Sequence, residues 1–143
     1  MGVGLACLFG GIVGLGGFTF FHAEGFSYLS NDPSACANCH VMSEVYDAWH
    51  HGSHKSVATC NTCHVPHVFP LNYMVKGLNG WNHSVAFTLE NFPEPIRVTA
   101  LNRSVVLWNC FDCHGDIVTA MGAEHTDEPT DCLRCHAGVG HRP

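Results

Sequence analysis

Charge is scarce in this 143-residue chain: 13% of residues are charged, and only 6 are Lys or Arg against 12 Asp or Glu. No Lys or Arg precedes Lys55. A net charge of −6 argues against nucleic acid as a partner, because phosphate binding needs clustered cations. With 46% hydrophobic residues the chain is neither a disordered, solvating segment nor a charged tail. Convincing period-two strand patterns and a βαβ pattern are both lacking, and the length suits one ordinary domain.

What the chain has instead is 9 Cys and 12 His. An odd cysteine count leaves one thiol over from any fully paired disulfide framework. Eight of the nine fall into four identical units: Cys36-Ala-Asn-Cys39-His40, Cys60-Asn-Thr-Cys63-His64, Cys110-Phe-Asp-Cys113-His114 and Cys132-Leu-Arg-Cys135-His136. Each is the c-type haem attachment pattern, in which two thiols form thioethers to the porphyrin vinyl groups and the adjacent His can reach the iron. Structural zinc would use the thiolates but has no need of a His after every second Cys. Thioredoxin-like motifs normally come singly, beside a βαβ unit. Four covalently bound haem c groups are therefore expected. Cys7, in an apolar run, reads as a small hydrophobe.

Residues 1–21 carry no charge and are mostly Leu, Ile, Val, Phe and Gly, long enough to cross a hydrocarbon core as a helix. A cleaved secretory signal would have a basic start and a shorter apolar core, so an uncleaved anchor over residues 1–24 is expected. Gly10-x-x-x-Gly14 permits either close helix packing in a membrane or a loosely packed anchor. The positive-inside rule cannot orient it, because basic flanks are missing. Covalent haem attachment in bacteria occurs on the periplasmic side. Residues 25–143 are therefore expected as a periplasmic tetrahaem domain, on a single-pass protein of the cytoplasmic membrane.

The motifs are separated by residues 41–59, 65–109 and 115–131, so the middle interval should hold most of the remaining structure. Leu71, Met74, Val75, Leu78, Trp81, Val85 and Leu89 recur at helical steps, predicting a helix over 70–91 ended by Pro93 and Pro95. Further helices are expected over 96–109 and 43–52. The fold class is a mostly α or irregular multihaem c-type domain with one N-terminal transmembrane helix. Its haems supply much of the apolar surface to bury.

Beyond the motif histidines, His22, His50, His51, His54, His67, His83, His125 and His141 are left as possible sixth ligands. A surface or capping role is the ordinary alternative for each. Met42, two residues past His40, is either a core filler or a thioether ligand that would raise the first haem's potential.

The anchor, the four motifs, the stretch Cys-Ala-Asn-Cys-His-Val-Met over 36–42 and the run Gly-Trp-Asn-His-Ser-Val-Ala-Phe-Thr over 80–88 resemble the NapC/NirT family of membrane quinol dehydrogenases. The likeness is strongest to its branch of small nitrite reductase subunits. The resemblance implies that Met42, rather than His40, binds the first haem iron. It implies His64 on the second haem, with the opposite face taken by a Lys of a periplasmic pentahaem cytochrome c nitrite reductase. It pairs His114 with His141 on the third haem and His136 with His54 on the fourth. Menaquinol would be oxidised at the membrane face and its electrons passed on to the ammonia-forming partner. A general electron-distributing hub serving other periplasmic reductases is the alternative; an anchor running in reverse to reduce quinone is a third reading.

The family's quinol site has a Lys and, seven residues later, an Asp, aligned here with Asn72 and Asn79. Asn72, Lys76 and Asn79 share a helix face at i, i+4 and i+7, so Lys76 could supply the cation. A solvated or headgroup-facing Lys76 is the plainer alternative. Asn79 cannot act as a base, which leaves Glu44, Asp47 or water to take the protons.

Overall fold

The computed structural model describes residues 2–122 and 130–141. His125 lies outside the described residues. Within them the chain is helical, with no strand. It begins with α1 (Gly2–His22), which at 1.5 Å per residue is about 32 Å long, matching a hydrocarbon core of about 30 Å. Every residue of α1 is exposed, and its mean hydropathy is 1.9 over the most apolar window. By length and composition it is the one helix among the described residues able to cross a membrane. Three short 3-10 turns follow, at Gly25–Leu29, Pro33–Asn38 and His40–Met42.

The remaining helices are α2 (Ser43–His50), α3 (Cys60–His64), α4 (Leu71–Leu89), α5 (Ala100–Ala120) and α6 (Cys132–Cys135). The expected helices over 43–52 and 70–91 appear with slightly tighter ends; α4 closes on Glu90 in a left-handed conformation (φ 51). The third differs. It starts at Ala100, where the Thr99 hydroxyl accepts from Asn102 N, and runs eleven residues past Asn109. The cause is that a C-x-x-C-H motif is itself compatible with helix, so nothing in it stops α5. Termination waits for Gly122, whose φ of +69° suits a residue without Cβ.

Packing centres on α3 against α5. Asn109 of α5, 6% exposed, donates its amide to the carbonyls of Cys63 and Val65, both at 2.9 Å. His67 links the same elements, 2.7 Å from Asp112 and 2.9 Å from the Thr62 carbonyl. Asn79 of α4 and Asn102 of α5 exchange amide hydrogen bonds of 3.1 and 3.0 Å. Arg103 donates to Asp131, tying α5 to the start of α6.

The apolar core is nearly empty. Buried hydrophobic side chains among the described residues are Val65, Val75, Val105 and Val118, and no large side chain is fully buried. Leu78, Trp81, Phe87, Leu101 and Trp108, all outside α1, remain exposed. A polypeptide of this size with four buried valines cannot offset its chain entropy by side-chain burial alone. The exposed surface fits apolar prosthetic groups.

Candidate haem-binding site

Three of the four motifs lie on helix. In α3 and α5 the cysteines stand three residues apart with the His one residue on, so both thiols and the imidazole project from one helix face. Thr59 caps α3 through a reciprocal box with Thr62, inside the motif. In α6, Cys132 and Cys135 share the single turn, and His136 follows it.

The first motif is different. Cys36 lies in the turn Pro33–Asn38, but Cys39 is extended (φ −91, ψ 119), and His40 begins a separate turn that ends at Met42. The break carries His40 out of register with its cysteines. His40 is exposed, whereas Met42 is half-buried.

The elements that carry the motifs pack in chain order, the turn Pro33–Asn38 against α3, α3 against α5 and α5 against α6. Cys36 and Cys60 share a hydrogen bond that pulls the Cys36 thiol down to about 7 and pushes Cys60 up. Burial first, and then the charge of Cys113, raises the Cys63 thiol; burial first, and then the charges of Cys132 and Cys63, raises the Cys110 thiol. No described cysteine forms a disulfide. Among the described residues no three His, Cys, Asp or Glu side chains form a metal-holding group. Paired thiols on a single helical turn with a neighbouring imidazole, in the second, third and fourth motifs, amid exposed apolar side chains, fit haem c. When bound, haem supplies one-electron redox chemistry; the protein sets its potential through axial ligands and surroundings.

The further ligands are gathered only in part. His64 is held near 4 by burial first and then by the neighbouring His141 and His83, so it is neutral at physiological pH with a lone pair available to a metal. Its ring stacks with that of His141, centroids 6.0 Å apart. His141 Nδ1 lies 3.1 Å from the Val45 carbonyl, which orients the ring. His54 stands edge-on to His114, also at 6.0 Å. Thus the ring contacts join His141 to the second motif and His54 to the third. Motif spacing contains no signal for this, because it reports chain distance rather than the fold that brings residues 54 and 141 inward.

The supposed quinol residues are separated by their bonding. Lys76 is 6% exposed, and its ammonium donates to Asn31 Oδ1 at 2.8 Å and to the carbonyls of Leu29 at 3.1 Å and Ser30 at 3.4 Å. Asn79 is turned to Asn102, and Asn72 accepts from the adjacent Tyr73 N–H at 2.9 Å. Glu44 and Asp47 are exposed on α2. Sequence reasoning overlooked Tyr28, whose hydroxyl lies 3.2 Å from His83 Nδ1.

The model of the NapC/NirT cytochrome c family, N-terminal region, matches residues 1–106. The chain belongs to the NapC/NirT cytochrome c family. Cytochrome c-type protein NrfH of Wolinella succinogenes is 36% identical over 130 residues, covering 83% of this chain and 73% of that protein. Cytochrome c-type protein NapC of Escherichia coli K12 is 25% identical, over 93% of this chain and 77% of that one. A crystal structure of the cytochrome c nitrite reductase NrfHA complex bound to the inhibitor HQNO superposes with a TM-score of 0.66 at 25% identity, covering 99% of this chain and 92% of its counterpart. This NapC/NirT chain is accordingly a helical c-type cytochrome of electron transport with one apolar N-terminal helix.

Proposed function

We propose that this chain is the quinol-oxidising membrane subunit of a respiratory nitrite reductase. It takes electrons from menaquinol and passes them through four covalently bound haems to a periplasmic pentahaem enzyme that reduces nitrite to ammonium. The observation that carries this reading is the ordered packing of the elements that hold the four motifs, beginning just after the apolar helix: the turn Pro33–Asn38 against α3, α3 against α5, and α5 against α6. The similarity to NrfH, and to a chain solved in complex with its reductase, supports the choice of partner.

In this reading α1 spans the cytoplasmic membrane and residues 25–143 face the periplasm. Met42, His64, His114 and His136 are ligands from the motif regions, and His54 and His141 supply sixth positions. A Lys of the reductase completes the second haem. The quinol binds where the turn Gly25–Leu29, the first motif and α4 meet. Lys76 braces that corner and contributes positive potential; Asn72 and Asn79 lie along the same helix face.

Pyridine haemochrome analysis should return four haems per chain; two would refute the central claim. Detergent extraction should yield a stable complex with one pentahaem reductase that reduces its haems with menaquinol. A solitary chain that reduces several unrelated periplasmic acceptors would favour the hub reading, for which the similarity to NapC is the support.

A further inference from the structure

We propose that α4 lies in the surface layer of the bilayer leaflet from which α1 emerges, with its outward apolar face against lipid. The haem domain is then held to the membrane along a second helix as well as by its anchor. This assignment rests on the reading above that α1 spans the membrane.

For a helix on a solvated domain, α4 is turned inside out. Its polar residues point inward: Lys76 donates to Asn31 and to the carbonyls of Leu29 and Ser30, Asn79 exchanges amide bonds with Asn102, and His83 meets the Tyr28 hydroxyl. Gly80 lies on the same side, where a Cβ would meet Tyr28 Cγ at 3.2 Å. On the opposite side Leu71, Met74, Leu78, Trp81, Val85 and Leu89 recur at three- and four-residue steps. All but the half-buried Val85 are exposed, Met74 at 64% and Trp81 at 69%.

Charge is missing from this surface. Lys76 is the only Asp, Glu, Lys or Arg between Lys55 and Glu90, and at 6% exposure it is withdrawn into the fold. A solvated surface helix carries charged side chains opposite its apolar stripe; none of α4 reaches water. Nor is α4 a second span, because among the described residues only α1 is long and apolar enough to cross. A two-faced helix too polar to cross lies in the plane of the interface. Trp81 on the apolar face, and Tyr73 at its edge with Phe69 packed edge-on at 6.3 Å, are the side chains that favour the headgroup level.

The position of α4 selects lipid as the occupant. Among the described elements α4 packs against the turn Gly25–Leu29, which also packs against α1. Six residues separate His22, the last of α1, from Tyr28, a reach of at most about 20 Å even if extended. The exposed Phe26 and Leu29 carry apolar surface across that gap, so the face of α4 continues from the membrane helix. The haem motifs lie the other way. The turn Pro33–Asn38, which holds Cys36, meets the turn Gly25–Leu29 and not α4, and the link from α4 to α5 is the inward Asn79–Asn102 pair.

The test uses the full-length holo complex in vesicles of phosphatidylethanolamine and phosphatidylglycerol containing a trace of phospholipid with a diazirine on its acyl chain near the glycerol. After illumination, proteolysis and mass spectrometry locate the label. Met74, Leu78 and Trp81 should be labelled at least about tenfold more than Lys76, Asn79 and His83 on the inner side, giving a helical period, and to within about threefold of Phe20 and Phe21 in α1. The double substitution Leu78→Glu with Trp81→Glu should lower labelling of Met74 by about fivefold or more, with haem spectra and α1 labelling unchanged. If that variant fails to assemble haem, the wild-type pattern decides alone. Labelled α1 with an outer face of α4 no more labelled than its inner side overturns the proposal, whether haem, the reductase or a second copy covers the face. An unlabelled α1 overturns the membrane-spanning reading, and the proposal with it.

Discussion

The first motif and the third have the same five-residue pattern and opposite backbones. Cys110, Cys113 and His114 sit mid-helix, where 3.6-residue periodicity places all three on one face. Cys36 and Cys39 straddle the end of a 3-10 turn, and the extended Cys39 sends His40 to solvent while Met42 turns inward. A motif that specifies covalent attachment does not by itself specify which side chain reaches the metal; the backbone after the second cysteine does.

The strongest challenge to the contrast is to remove both motif histidines in turn. His114→Ala should cut recovery of holo-protein by about tenfold or more, since an iron ligand lost from a chain with so little apolar core removes folding energy. His40→Ala should leave the haem count and ligand spectra unchanged. Equal effects of the two substitutions would erase the distinction drawn here. Next in size is Asn109→Ala, which strips the Cys63 and Val65 carbonyls of their donor and should destabilise the α3–α5 contact by about 2 kcal/mol in denaturant titration.

Ligand exchange sharpens the comparison further. Met42→His should lower the first haem's potential by on the order of 100 mV, a fraction of the ~0.8 V that axial ligation spans, and leave the third unmoved in a redox titration. His54→Ala separates two geometries: ring contact associates His54 with His114, whereas the family resemblance assigns it to the fourth haem. Magnetic circular dichroism of paired His54 and motif variants identifies which iron becomes high-spin.

The smallest effect concerns pH. His67 is held above its ordinary range first by the hydrogen bond from its ring to Asp112, then by the Thr62 carbonyl. Its pKa is raised on folding, so its contribution is complete below the unfolded value and is lost as pH rises through the folded one. Both partners are largely exposed, so the contribution is a few tenths of a kcal/mol after screening. A denaturation series from pH 6 to 9, compared with His67→Asn, should reveal a slightly steeper decline in the wild type.

Much of the helix layout was legible in local pattern. α1 and α4 follow from apolar length and periodicity, and proline marks the region between α4 and α5. The C-terminal end of α5 was not legible, because the third motif reads as chemistry while also continuing the helix. Lys76 was visible as the cation of α4, yet its burial against Leu29–Asn31 depends on a turn 45 residues earlier in the chain. The contact of Tyr28 with His83 is equally nonlocal: no periodicity in either segment announces it, and only Gly80, unexplained as a helix residue, hints at a close approach.

By itself, then, the sequence determined the family, the apolar helix and the four attachment motifs, because covalent chemistry demands particular residues at fixed short spacing. The tertiary structure decided which imidazoles meet, why Lys76 is withdrawn and how Tyr28 comes to meet His83. Those are distances across the fold, created when α4 and α5 pack against the turns and α3, and short-range spacing cannot encode them.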